Sequence, residues 1–231
     1  MAYDFNCDGF AVAQDVIPPE TVEEMRAEFE RLAPEFASTR NGTAFGMRGL
    51  MSKSAAVRTL AKSEQLLNLV TPYIGKNAQP VRTIFFDKTP SANWPLPWHQ
   101  DRVIAVSARY EIDGYDKWTL KNGVDHVEPP VEILKQIVTI RLHLDDCDET
   151  NGALKVMAGW QDSMKPSAEL AALRGDDKIQ TLSLKAGDAV LMRPLTPHSS
   201  DKSIGGRRRR VLHIEYCGID LPAPLTWKEA T

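Results

Sequence analysis

The chain has little cysteine. Its three, Cys7, Cys147 and Cys217, are odd in number, far apart and never in a C-x-x-C pair. That excludes a disulfide framework and offers no structural zinc motif, so free thiols in a reducing compartment are expected. Long apolar runs are also missing: no stretch approaches the ~18–20 residues needed to cross a bilayer. The opening MAYDFNCDGF carries acids early, where a signal peptide would have a basic-then-apolar run. A cytoplasmic location is therefore expected, with no membrane partner. Nor is one sign of charge in excess. A formal net charge of −3 gives no global attraction to nucleic acid or anionic membranes. Any acidic small molecule must be held by local basic residues. Repeats and low-complexity tracts are absent too, the nearest approach being Gly205-Gly206 followed by Arg207 to Arg210.

What is present suits a globular protein: 42% hydrophobic and 26% charged residues. A chain of 231 residues fits one domain, 1–231, that buries roughly 70–75% of its unfolded surface. The part from 1 to about 80 reads as mainly helical. Gly9 to Val12 looks like a short strand. Pro18-Pro19 then fits a helix start, with Val22, Met25, Phe29 and Leu32 following at helical spacing. A second helical region covers roughly Ala55 to Val70. From Val81 the texture changes to short β-like runs: VRTIFF, VIAV, QIVTIRLHL, GALKVM, AVLM and RVLHIEY. Helices first and many strands afterwards predict a mainly β fold with flanking α-helices, a β-sandwich or jelly roll whose core spans about 81–220. A polar insertion at about 107–130 interrupts it and has the length of a lid or binding loop.

The residues that carry chemistry begin at Trp98-His99-Gln100-Asp101. On an extended segment, residues two apart share a face, so His99 and Asp101 can present a nitrogen and a carboxylate oxygen to one metal. Alone, H-x-D is a weak signal. A third donor is offered by His198 in AGDAVLMRPLTPHSS, where an apolar strand runs into Pro194 and Pro197 and the histidine follows at once. A rigid strand end holds a ligand with little freedom. Two histidines and one carboxylate form the facial triad of non-haem Fe(II) oxygenases, which leaves coordination sites open for cosubstrate and O2. Eleven residues after His198 stands Arg209, whose planar fork suits the distal carboxylate of 2-oxoglutarate. Arg207 and Arg208, nearest the Gly-Gly turn, are expected in solvent.

These residues resemble the phytanoyl-CoA dioxygenase (PhyH-like) family of Fe(II)/2-oxoglutarate oxygenases. The match lies at His99-Gln100-Asp101, at His198 with Ser200 and then Arg209, in LHLDDCDETNGALKVMAG, and in the opening DGFAVAQDVIPPETVEEM. The resemblance implies a double-stranded β-helix (cupin-like) core with Fe(II), 2-oxoglutarate and O2 as partners. It also implies hydroxylation of an unactivated C–H bond, with release of succinate and CO2. Ser200 would assist Arg209. The chain departs from the family at Ala158-Gly159-Trp160-Gln161, where a Gly-Ser-His-like ending is usual, so the family name does not carry over a substrate.

Further candidates surround this set. Thr139, Arg141 and His143 alternate along one strand and share a face. Arg141 is read either as an anchor for an anionic substrate or cosubstrate group, or as paired with Asp145, Asp146 or another acid. His143 is read as a hydrogen-bonded structural residue. Trp98, Trp94 and Trp118 are candidates for the entrance, Lys88 is read as facing water, and His126 has no assigned role. Two other functions stay open. One is a cupin-like metal isomerase or 2-oxoglutarate-independent dioxygenase. The other is a non-catalytic jelly-roll module whose histidines are structural and whose arginine run binds phosphate or nucleic acid.

Overall fold

A computed structural model describes residues 3–40, 42–175 and 178–230. Numbered along the chain, the strands are β1 (Phe10–Ala13), β2 (Ser38–Arg40), β3 (Thr43–Arg48), β4 (Gln79–Lys88) and β5 (Leu96–His99). Next come β6 (Ile104–Val106), β7 (Asp116–Lys121), β8 (Val124–Glu128), β9 (Ile137–His143) and β10 (Leu154–Met157). The last are β11 (Ile179–Leu182), β12 (Ala189–Met192), β13 (His198–Ser200) and β14 (Arg209–Cys217).

The helix expected after the proline pair spans Pro19–Phe36, with Pro19 in its first turn, where a missing N–H costs nothing. Its predicted stripe of Val22, Met25, Phe29 and Leu32 is buried. The second helical region is two helices, Ala55–Ala61 and Glu64–Ile74, because Ser63 interrupts it and caps the second through a bond from Leu66 N to its Oγ at 3.4 Å. Among the described residues no helix is long and apolar enough to cross a membrane.

A seven-stranded sheet runs β1-β12-β9-β14-β4-β3-β2 and a four-stranded sheet runs β11-β10-β13-β5. The period-2 alternation of the strands fixes what each face meets. Ile140, Leu142, Leu191, Leu212 and Ile214 pack on the helices, where Phe29 stacks on Phe85 with ring centroids 3.7 Å apart. Fully burying a side chain such as Phe29 contributes about 1.5–3 kcal/mol. On the opposite face Phe10, Val190 and Met192 meet Leu154, Val156 and Leu182 of the smaller sheet, so the two sheets close as a sandwich. On β9 and β14 that inner face is polar: Thr139, Arg141, His143, Arg209, His213 and Glu215 are all buried there. Polar groups out of water need a purpose or a partner, and this stretch is where the site lies.

The insertion at 107–130 carries the hairpin β7–β8, and β8 pairs with β6 in a third sheet. Its turn is Asn122-Gly123, with φ of +49° and +74°. That pair is the signature of a two-residue hairpin, because both central positions need the left-handed region.

Candidate metal centre

His99 closes β5 and His198 opens β13, and the antiparallel register sets them directly opposite each other. Their ring centroids lie 4.1 Å apart. Asp101 follows two residues after His99 and is pinned by its backbone N–H, which donates to Pro194 O at 2.8 Å. Its Oδ2 lies 3.7 Å from His198 Nε2. One donor atom from each of His99, Asp101 and His198 falls within 4.8 Å of the others. Each imidazole is oriented from behind: His99 Nδ1 lies 2.9 Å from Pro97 O, and His198 Nδ1 lies 3.0 Å from Thr196 O. With protons at those nitrogens, both Nε2 lone pairs stay available to a metal. Gln100 turns away from the pair. It donates to Ser163 O at 2.9 Å and Leu195 O at 2.6 Å and accepts from Lys165 N at 2.8 Å, which fixes the backbone between the two donors.

Electrostatics favour the deprotonated donor set. Burial alone would push the Asp101 carboxyl up, but His198, His99, His213 and Arg82 together hold it well below the usual carboxylate range. Burial, with His99 adding to it, pushes His198 down to about 3, so its ring is neutral at ordinary pH. A second trio, Asp101, His213 and Glu215, also brings its donor atoms within 4.8 Å. Those groups are already engaged: Glu215 Oε1 accepts from Arg82 at 2.9 Å and lies 3.2 Å from His213 Nε2, while His213 Nδ1 lies 3.2 Å from Arg141 Nη1. The first trio is therefore the better fit to a two-histidine, one-carboxylate ion.

The trio borders a cavity of about 430 Å³ that Arg209 and Ser200 also line. Arg209 stands four residues along β14 from His213, a Cα separation of about 13 Å on an extended strand. It is buried, and its Nη1 donates to Gly152 O. Among the described residues its Nε has no hydrogen-bond partner. An orphaned donor on a buried cation is costly, and a carboxylate meeting that edge of the guanidinium would satisfy it. Gly152 permits the approach of this loop: its φ is +65°, and a Cβ there would lie 2.6 Å from Asp201 O. The residues present thus fit both Fe(II) and the distal carboxylate of 2-oxoglutarate.

Lys88 corrects a sequence expectation. It is 1% exposed rather than facing water, because it sits opposite Arg209 on β4 and its side chain turns inward. Its Nζ donates to Ser200 Oγ at 3.3 Å and Asp201 O at 2.8 Å. Burial, with Arg209 beside it, pushes Lys88 down to about 7.

Among the described residues Arg141 meets no carboxylate, since Asp145 is taken by Arg210 at 2.8 Å and Arg26 at 3.0 Å. It lines the cavity with its Nε unpartnered, and burial and Arg209 push it down to about 10. His143 differs from expectation: among the described residues neither ring nitrogen has a hydrogen-bond partner, and burial with Arg209 and Arg141 nearby drives it well below the usual histidine range. Thr139 shares their face, fully buried with Oγ1 unpartnered, but does not line the cavity. Of the tryptophans, Trp94 reaches the cavity. Trp98 alternates with His99 and packs instead against Met157, Leu170 and Leu173. Trp118 packs against an apolar cluster that includes Ile104, Val106, Val127 and Trp227, with Arg109 5.5 Å from its ring centroid.

The arginine run is divided by its strand. Arg209 points inward, while Arg207 pairs with Asp148 at 2.6 Å and Arg210 with Asp145. Arg208, expected in solvent, is half-buried and forks onto Asp87 at 2.8 and 2.6 Å. Three of the four are thus neutralised by carboxylates, which argues against a phosphate-binding patch.

Fold and donor set together define a double-stranded β-helix built around a two-histidine, one-carboxylate centre. The sequence model described as "Phytanoyl-CoA dioxygenase (PhyH)" matches residues 5–211, and the chain belongs to that family. An ectoine dioxygenase of Nocardia farcinica (strain IFM 10152) is 25% identical over 174 residues, covering 70% of this chain and 50% of that protein. The match thus spans half the length of that curated relative. AviO1 from Streptomyces viridochromogenes Tue57 superposes with a TM-score of 0.68 at 22% identity, covering 95% of each chain. HygX from Streptomyces hygroscopicus, solved with nickel and 2-oxoglutarate bound, gives 0.65 at 17% identity over 96% of this chain and 86% of its own. At these identities the structural likeness is one of fold.

Proposed function

We propose that the chain works as one Fe(II)- and 2-oxoglutarate-dependent dioxygenase domain that hydroxylates a C–H bond of a small molecule, with release of succinate and CO2. The observation that carries this is the convergence of His99, Asp101 and His198 on one side of a cavity whose far wall holds Arg209 with an unsatisfied Nε. Family membership supports the same reading, as does HygX, which shares the fold and was solved with nickel and 2-oxoglutarate bound.

In this reading His99, Asp101 and His198 hold the iron, their orientation set by Pro97 O behind His99, by the Asp101 N–H donated to Pro194 O, and by Thr196 O behind His198. Iron with 2-oxoglutarate supplies the activation of O2, and the protein supplies binding, orientation and exclusion of water. Arg209 grips the distal carboxylate of 2-oxoglutarate through its free edge, with Ser200 and Lys88 beside it. Arg141, held by His213 Nδ1, offers a positive group for an acidic substrate. The three unpaired cysteines suit a reducing cytoplasm.

A cupin-like isomerase or a 2-oxoglutarate-independent dioxygenase would have no use for the carboxylate-ready edge of Arg209. The test is a substrate screen read as 2-oxoglutarate-dependent succinate release under air with added Fe(II). Turnover that needs both is expected; turnover that proceeds without 2-oxoglutarate would overturn the proposal.

A further inference from the structure

A second cavity, of about 680 Å³, adjoins the first. Arg48 and Arg82 line both, so the two spaces share a wall. Its other basic residues are Lys53, Arg58 and Lys228, while Met51, Ala105 and Val124 give it apolar surface. The segments come from the end of β3, from the helices Leu50–Lys53 and Ala55–Ala61, from β4 and β6, from the β7–β8 hairpin and from the residues after β14.

The charge in this chamber is not balanced from within. Its one acid among the described residues, Glu229, is occupied in holding the wall together: it accepts from Thr83 N at 3.0 Å, Met51 N at 3.3 Å and the Thr83 hydroxyl. Lys53 donates to Arg48 O and Arg58 to Met51 O, both neutral carbonyls. Arg48 has a buried Nη1 with no partner among the described residues, and burial with Arg82 nearby lowers its pKa. Among the described residues none of Arg48, Lys53, Arg58 and Lys228 has a carboxylate within ion-pair distance. Only Arg82 is paired, to Glu215 at 2.9 Å.

The inner cavity cannot absorb the excess. Arg102 is matched by Glu128 at 3.1 Å, but Lys121, Arg141 and Arg209 face a single acid, Asp101, there. The two carboxylates of 2-oxoglutarate only cancel the charge of Fe(II). Uncompensated cations in a partly desolvated space are expensive, and they focus anions toward it.

We propose that the second cavity is a binding chamber for an acidic arm of the prime substrate, a phosphate or a carboxylate, held by Arg48, Arg58, Lys53 and Lys228 while the rest of the molecule passes Arg48 and Arg82 toward Asp101. Only the word substrate rests on the oxygenase reading; the anion site stands on the chamber's own geometry. The guanidinium forks of Arg48 and Arg58 suit planar or tetrahedral oxyanions, and the apolar surface takes the carbon skeleton next to the charged group.

The experiment is a calorimetric titration of three matched probes: phenyl phosphate, benzoate and benzyl alcohol. The protein is used both metal-free and after loading with Ni(II) and 2-oxoglutarate, so that Arg209 is engaged in the second series. Phenyl phosphate or benzoate should bind at least tenfold more tightly than benzyl alcohol, and whichever anion binds better identifies the acid. Arg48→Gln and Arg58→Gln should each weaken it about tenfold in the protein loaded with Ni(II) and 2-oxoglutarate, the loss of one charge-assisted contact. Equal binding of the alcohol, or anion binding indifferent to both chamber variants, would overturn the proposal. Should Arg48→Gln fail to fold, Arg58→Gln combined with Lys228→Gln at the exposed rim decides the matter in the same way. Failure of Ni(II) and 2-oxoglutarate to load would count against the oxygenase reading, while the metal-free titration would still report on the chamber.

Discussion

Replacing Arg209 by methionine keeps most of the side-chain volume and removes every donor. In the structure Arg209 spends Nη1 on Gly152 O and keeps Nε unpartnered, so one edge of the fork remains for a carboxylate. Hydrogen bonds to charged groups contribute about 1.5–3 kcal/mol each, and screening is weak because the residue is only 5% exposed. Ser200 and Lys88 would retain part of the grip. A net loss near 3 kcal/mol, or about 100-fold in Kd for 2-oxoglutarate, is therefore expected. Stability of the protein without ligand should change far less, because two effects oppose. Gly152 O loses its donor, but Lys88 and Arg141 lose a repelling neighbour that lowers both their pKa values. The assay is anaerobic calorimetric titration of 2-oxoglutarate into Mn(II)-loaded protein, wild type against Arg209→Met. An unchanged Kd would refute the reasoning. If Arg141→Met then abolished binding, the cosubstrate would lie against β9 instead.

Single alanine substitutions of His99, Asp101 and His198 should each abolish Fe(II)-dependent succinate formation while circular dichroism shows an intact fold; full turnover in any one would remove that residue from the donor set. Lys88→Met should stabilise the ligand-free protein. The folded pKa of Lys88 lies near 7, below its ordinary value, so the unfolded chain binds more protons above that pH and wild-type stability rises as pH climbs from 7 toward 10. The advantage of Lys88→Met in urea melts should accordingly shrink over that window, and a constant or growing gap would contradict the burial argument. Gly152→Ala should cost about 1–3 kcal/mol, since it forces a Cβ into the left-handed region against Asp201 O. It should also weaken 2-oxoglutarate binding by shifting the carbonyl that anchors Arg209; retention of both wild-type stability and affinity would count against that anchor.

The amino-acid sequence made the β core and the His99–Asp101 pair legible because both rest on short spacing, and it made His198 legible through its place at the end of an apolar strand. Alternation along QIVTIRLHL and RRVLHIEY places Arg141 and Arg209 on the inner face, and that face is where they lie. His99 and Asp101 need only an extended segment to come together. Groups whose surroundings are assembled from distant segments were not legible. Lys88 follows an apolar run and looks like its exposed end, yet β13 and the loop after it cover the amine. Trp98 stands beside a metal donor in sequence, but alternation turns it to the other face. The polar insertion carried a hairpin signal in Asn122-Gly123 that its overall length obscured. The basic chamber draws on residues near 50, 82, 105, 124 and 228, and no local pattern links them.

The central claim is that one ion sits among His99, Asp101 and His198. Crystals grown or soaked anaerobically with Fe(II) and 2-oxoglutarate, measured at the iron absorption edge, test it most directly. A single anomalous peak about 2.0–2.2 Å from Nε2 of both histidines and from the Asp101 carboxylate is expected, with 2-oxoglutarate reaching Arg209. A peak on His213 and Glu215, or none at full loading, would contradict it.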